Sequence, residues 1–172
     1  QLHEARAESQ DYLFELRPVT QKLDINIVSA GFDPISKLDE IPNNPKQRYK
    51  LMTKDMPLGG ELSLDMMYRT CGTQLNLDYK SEDDFIKKFK IVNSIVPISI
   101  ALFANSAIVE KKKSNYLSYR SKVWQNTSRG GLPKIFFEEL DFEKYGEFVI
   151  NFPILFIQHE GNYFSGKKYT FK

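Results

Sequence analysis

The chain has 172 residues, 41% of them apolar, with 24 basic and 22 acidic side chains and a net charge of +2. That is enough apolar content for one folded domain with a core, and too much for intrinsic disorder. The charge balance argues against nucleic acid or an anionic membrane as the main partner, and a single cysteine, Cys71, excludes an internal disulfide framework and suits a reducing cytosol.

The first residues, Gln-Leu-His-Glu-Ala-Arg, carry no apolar signal region. The longest apolar run, Ile95 to Ala104, contains Pro97 and is too short to span a bilayer. The expectation is a soluble, cytoplasmic protein. Residues 2–23 read as a helix with Leu2, Ala5, Tyr12, Leu13, Leu16, Val19 and Leu23 near one face, kinked or restarted at Pro18. Ile25 to Ala30 reads as a short strand stopped by Gly31. Residues 33–47, with three prolines and two adjacent asparagines, are loop. Lys46 to Met52 follows as a basic turn or short helix, and Pro57 to Gly60 is a flexible connection.

Residues 64–79 form the centre of the chain. The last part alternates strictly: Thr73, Leu75, Leu77 and Tyr79 fall on one side of an extended chain, and Gln74, Asn76 and Asp78 on the other. This is either an ordinary half-buried strand or a strand whose short amides and carboxylate floor an active site. Ser81 then caps a helix with Asp84 in the capping-box place. Phe85, Ile86, Phe89, Val92 and Val96 give that helix a core-facing stripe, and Pro97 breaks it or starts a second one through Asn105.

Lys111–Lys113 is a solvated turn, and the Asn126-Thr127-Ser128 sequon is a chance match. Glu138, Glu139 and Asp141 lie in a loop, and Phe142 to Phe148 is a short helix. Asn151 to His159 reads as a strand, turned at Glu160-Gly161-Asn162 into Tyr163-Phe164. The mixture lacks regular βαβ alternation and is of the α+β class.

The sequence holds no Walker loop, no GxGxxG, no paired-cysteine metal site and no HExxH. Cys71 has no base partner in sequence and reads as a small buried residue, and His159 as a surface residue by a hairpin. Arg48, Arg69 and Arg120 are each set in apolar or aromatic sequence. Such arginines form structural ion pairs, reach out to solvent or hold an anion, and a carboxylate-bearing substrate needs planar bidentate donors.

Leu-Asp-Met-Met-Tyr-Arg-Thr-Cys at 64–71 and Thr-Gln-Leu-Asn-Leu-Asp-Tyr at 73–79 resemble the core of the plant and proteobacterial type of glutamate–cysteine ligase. The resemblance runs from about residue 30 to about residue 160. It takes in Gly31-Phe32-Asp33-Pro34, Lys46 to Met52, Ser81-Glu82-Asp83, Pro97-Ile98, Ala101 to Ser106, Tyr116 to Ser121, Val123-Trp124 and Leu132-Pro133. It departs at Asn151 and Leu155, where relatives often carry Asp and Tyr, and in a shortened loop after Trp124. Those departures bear on the amine acceptor.

The resemblance implies ATP-dependent ligation of the glutamate γ-carboxylate to the cysteine amine, the first step of glutathione biosynthesis, with ATP and Mg2+ as cofactors. The carboxylate attacks the terminal phosphate, and the cysteine amine then displaces phosphate from the acyl phosphate. It implies that Arg48 and Arg120 hold substrate carboxylates, that Trp124 and Thr73 border the pocket, and that Gln74 and Asn76 face metal and nucleotide. Trp124 lies four residues after Arg120, so the two share a face if that piece is helical.

The implied fold is a glutamine-synthetase-like curved antiparallel sheet with helices on one face. Residues 1–172 would be one unit, the central part of a longer catalytic domain, expected to be inactive in isolation. Two other readings stay open: the same fold with another amine acceptor, and a non-catalytic interaction module.

Overall fold

In the computed structural model, residues 2–127 and 130–172 are described, Leu2 by its backbone alone. Ser128 of the sequon therefore lies outside the described residues.

Helix α1, Leu2–Lys22, runs unbroken through Pro18. A proline costs one backbone bond and some bending without ending a helix that its neighbours sustain. The helix ends where Asp24 turns to φ 53°. The N–H of Ile25 bonds the carbonyl of Thr20 at 2.8 Å and that of Asp24 bonds Gln21 at 3.3 Å, a left-handed cap. Its apolar residues Tyr12, Phe14, Val19 and Leu23 are exposed.

The strand expected at Ile25 to Ala30 does not form among the described residues, and Ile25, Ile27 and Val28 are exposed. Helix α2, Gln47–Asp55, meets the basic stretch expected to turn, and Met56–Gly59 continues it as a 3-10 turn.

The central stretch is where the sequence expectation fails. Residues Ser63–Arg69 form helix α3. Residues 71–79 take no regular secondary structure and are exposed, so they are not a half-buried strand. Alternation specifies an extended backbone, but a strand also needs a neighbour for its N–H and C=O groups. Among the described residues the central stretch's pairing is one antiparallel bridge, Phe32 with Thr70. Cys71, expected buried, is exposed because it sits where the chain leaves that bridge.

The bridge is part of a small sheet-like junction. The N–H of Asp33 bonds the carbonyl of Arg69 at 2.8 Å, and that of Cys71 bonds Gly31 at 3.1 Å. On the other side the N–H of Gly31 reaches Asn105, and Ser106 pairs with Ser118 in parallel. Fully buried Phe32 sits at this junction, edge-on to Tyr119 with ring centres 5.1 Å apart. Val123, Ile135 and Leu140 are the other buried apolar side chains among the described residues.

Helix α4, Glu82–Leu102, is a single helix through Pro97 rather than two. Ser81 caps it as expected, its side chain accepting the Asp84 N–H at 3.2 Å. Its stripe packs only at one end: Phe85 and Phe89 meet Tyr79, Phe142 and Tyr145, while Val92 and Val96 are exposed.

Lys112–Lys113 (β2) pairs antiparallel with Ile108–Val109 (β1), and the turn between them, Glu110 and Lys111, has positive φ at both positions. Helix α5 spans Tyr119–Gln125 and helix α6 spans Phe142–Ile150, the latter capped by Asp141. Of the strand expected from Asn151 to His159 only β3, Phe156–His159, forms. It pairs with β4, Asn162–Ser165, across Glu160-Gly161, both with positive φ as a two-residue hairpin turn needs. Helices with small antiparallel sheets make an α+β chain. No helix among the described residues is long and apolar enough to cross a membrane.

Candidate functional site

Arg120 is held by three elements at once. It lies in the first turn of α5, and its backbone N–H bonds the buried Ser106 hydroxyl at 3.1 Å. Its Nε donates to the carbonyl of Cys71 at 2.8 Å. Its Cζ lies 5.5 Å from the centre of the Trp124 ring, one helical turn on, so these two residues do face together.

Two glycines make the room. A Cβ on Gly31 would stand 3.3 Å from Arg120 Cδ, and one on Gly72 would stand 2.8 Å from Nη2. Both nitrogens at the tip, Nη1 and Nη2, make no hydrogen bond among the described residues. A guanidinium fixed through Nε, backed by an aromatic face and open at both Nη atoms, presents parallel donors to a planar carboxylate.

Arg48 is half-buried on α2, with Cζ 5.2 Å from its neighbour Tyr49's ring. It makes no hydrogen bond or ion pair with any other predicted site residue. It lies one turn before Met52, which lines a cavity that Trp124 also lines. Thr73, Gln74 and Asn76 are exposed on the 71–79 segment, which meets Arg120 at Cys71 and Gly72. Gln74 Nε2 donates to Asn76 Oδ1 at 2.8 Å, which leaves one amide oxygen of the two uncommitted.

A magnesium ion takes hard oxygen ligands in octahedral array, usually with carboxylates. Among the described residues no cluster of three or more His, Cys, Asp or Glu is placed to hold a metal. One free amide oxygen does not make that site, so these residues do not fit the ion without further ligands.

Arg69, the third embedded arginine, is structural. It is buried, with Nη1 on Asp65 at 2.9 Å and on Glu110 at 3.4 Å, and its Cζ lies 4.5 Å from the centre of the Phe32 ring. Nearby Tyr119 has its pKa raised, first by burial and then by the charges of Asp65 and Glu110. Burial alone would raise Asp33. Hydrogen bonds from the Ser36 and Ile35 N–H groups and the Ser36 hydroxyl, with the charge of Arg69, hold it below its ordinary value instead.

Sequence reading missed Ser106, Gly31 and Gly72. The signal available for the glycines was their place at the ends of two extended runs, beside an arginine-bearing helix. It also missed Asp55 and Lys167, which meet where α2 packs on β4: Ser165 donates to Asp55 Oδ2 at 2.7 Å, and Lys167 donates to the Asp55 carbonyl.

The comparisons point one way. Residues 1–169 match the family model described as glutamate-cysteine ligase family 2. The chain is 38% identical over 174 residues to the chloroplastic glutamate–cysteine ligase of Medicago truncatula, covering 99% of this chain and 34% of that relative. Its identity to the chloroplastic enzyme of Nicotiana tabacum is 40% over 165 residues, covering 94% of this chain and 32% of the relative. To that of Arabidopsis thaliana it is 38% over 174 residues, with 99% and 33% covered. The chain thus spans about a third of the length of the curated relatives it matches.

Proposed function

Given that this chain belongs to glutamate-cysteine ligase family 2, we propose that it is the central part of an ATP-dependent ligase joining the glutamate γ-carboxylate to the amine of cysteine. The single observation that carries this is Arg120: anchored through Nε, backed by Trp124, given space by Gly31 and Gly72, and without a hydrogen bond at either Nη among the described residues. In this reading Arg120 grips a glutamate carboxylate, and Trp124 and Thr73 border the pocket. Arg48, on the same face of α2 as Met52, binds a second carboxylate.

ATP supplies the phosphoryl group that activates the γ-carboxylate. Gln74 and Asn76 flank nucleotide and Mg2+, and the ion needs carboxylates beyond those gathered here. What the protein contributes is placement and fixed charge rather than a covalent group. The fold we propose is a glutamine-synthetase-like curved antiparallel sheet with helices on one face. The antiparallel bridge between Phe32 and Thr70 and the strict side-chain alternation of residues 73–79 support it. The proposed setting remains cytoplasmic, although the named plant relatives are chloroplastic.

Calorimetric titration with L-glutamate, with and without MgATP, tests the reading. The expected result is glutamate binding that Arg120→Met removes. No heat with either ligand would leave an interaction module in place of a ligase. A panel of amines offered to the full-length enzyme separates cysteine from other acceptors.

A further inference from the structure

Asn105 stands beside Arg120, at Gly31. A Cβ added to Gly31 would lie 2.7 Å from Asn105 Oδ1 and 3.3 Å from Arg120 Cδ. An amide oxygen and the arginine stem thus flank one point of backbone, and glycine puts no side chain between them.

The backbone holds Asn105 in this place. The residue follows the end of helix α4, and its carbonyl accepts the Gly31 N–H at 3.4 Å. The next residue, buried Ser106, donates its N–H to the Leu117 carbonyl at 3.1 Å, and its own carbonyl accepts the Tyr119 N–H at 3.1 Å. The Ser106 hydroxyl takes the N–H of Arg120 itself. Asn105 and Arg120 are therefore tied to one junction by neighbouring bonds. The Asn105 side chain is exposed and makes no hydrogen bond among the described residues.

A guanidinium offers donors only, whereas an amide oxygen is an acceptor. Arg120 by itself would take any carboxylate. A donor fork with an acceptor beside it suits a ligand that carries an acceptor and a donor on one short frame. A carboxylate and an ammonium on the same carbon are such a pair.

We propose that Asn105 is a substrate-binding residue whose Oδ1 accepts a hydrogen bond from the α-ammonium of the amino acid whose α-carboxylate lies on Arg120. This rests on the reading of Arg120 as a carboxylate clamp and adds the group that recognises the rest of the head. The γ-carboxylate is then the one left free to be activated. A dicarboxylate without the ammonium leaves Oδ1 unpaired in the occupied site and is discriminated against for that reason.

Calorimetry on the full-length protein with L-glutamate and with glutarate, which lacks the ammonium, tests the assignment. Glutamate is expected to bind at least about tenfold more tightly, as a hydrogen bond to a charged group allows. Asn105→Ala and the near-isosteric Asn105→Leu are each expected to bring the ratio of the two affinities close to one, through weaker glutamate binding with glutarate binding unchanged. Asn105→Asp, which keeps an acceptor, is expected to keep or raise the ratio. The ratio is the readout because a general disturbance of the site weakens both ligands together.

A ratio near one in the unmodified protein overturns the assignment, and so does a ratio that persists in Asn105→Ala or Asn105→Leu. The side chain is exposed, so neither change opens a core, and either variant alone is enough. Glutamate binding that Arg120→Met removes and that stays selective in Asn105→Ala sinks the role of Asn105 and keeps the ligase reading. Failure of both ligands to bind sinks the two together.

Discussion

The Nε of Arg120 and the carbonyl of Cys71 are 2.8 Å apart, and that bond occupies the acceptor a continued antiparallel ladder would offer to the Gly31 N–H. The Gly31 N–H goes to Asn105 instead. One side chain is thus oriented by the carbonyl at which the pairing of two backbones stops.

Arg120→Met is expected to weaken glutamate binding about ten- to a hundredfold, in keeping with roughly 1.5–3 kcal/mol for hydrogen bonds to a charged group. Arg120→Lys should recover little, because an ammonium cannot hold Cys71 through one nitrogen and a carboxylate through two others. Calorimetric titration with glutamate checks both.

Gly72 and Gly60 should respond differently to alanine. At Gly72 the new methyl would stand 2.8 Å from Arg120 Nη2, the tip of a side chain that can swing away. At Gly60 it would stand 1.9 Å from the backbone oxygen of Asn126. Gly72→Ala is expected to impair glutamate binding with little change in thermal midpoint. Gly60→Ala is expected to cost on the order of 1–3 kcal/mol or more in urea denaturation, as overpacking against backbone does.

The two acids on Arg69 should also separate. Asp65 has a side chain 12% exposed, and Glu110 one 43% exposed. Asp65→Ala leaves a buried guanidinium without its shorter ion pair and is expected to cost roughly 3–5 kcal/mol. Glu110→Ala, at the wet end, is expected to cost under about 1 kcal/mol. Equal losses in chemical denaturation would contradict this account of the cluster.

Asp33 gives a pH signature. Its folded pKa lies below its ordinary value of 3.8. The stability its charge contributes is therefore present above that value and is lost as pH falls through the folded pKa. Asp33→Asn keeps an oxygen to accept from Ile35 and Ser36 but carries no charge. The gap in urea midpoint between the two proteins should be steady above about pH 5 and close in acid. A gap that widens on acidification would reverse the sign.

Local signals carried the helices and turns. Ser81 and its acids announced α4, apolar spacing announced α1, and Glu160-Gly161-Asn162 announced the hairpin. What local signals lack is the identity of a neighbour. The alternation at 73–79 describes a backbone direction and two faces, but the ladder partner is a matter of tertiary contact. The prolines misled for a related reason, since Pro18 and Pro97 each break one bond inside a helix that continues around them.

The arginines show the same boundary at the site. Arg48, Arg69 and Arg120 have similar apolar settings in sequence. Only packing makes Arg69 an internal ion pair and leaves the tip of Arg120 open. The Arg120–Trp124 relation was legible because four residues on a helix fix it. The Asp55–Lys167 meeting was not, because it joins residues more than a hundred positions apart.

The run from Thr73 to Tyr79 has a further bearing on how this polypeptide behaves in a tube. It has one charge, Asp78, and no proline or glycine, and it shows Leu75 at 75% and Leu77 at 51% exposure. Bare amide groups beside greasy side chains are a template for a second copy to lie alongside and for a third to follow. Stickiness that rises with concentration, and eases when Leu75 or Leu77 becomes lysine, is the practical signature of a run that forms no strand ladder among the described residues.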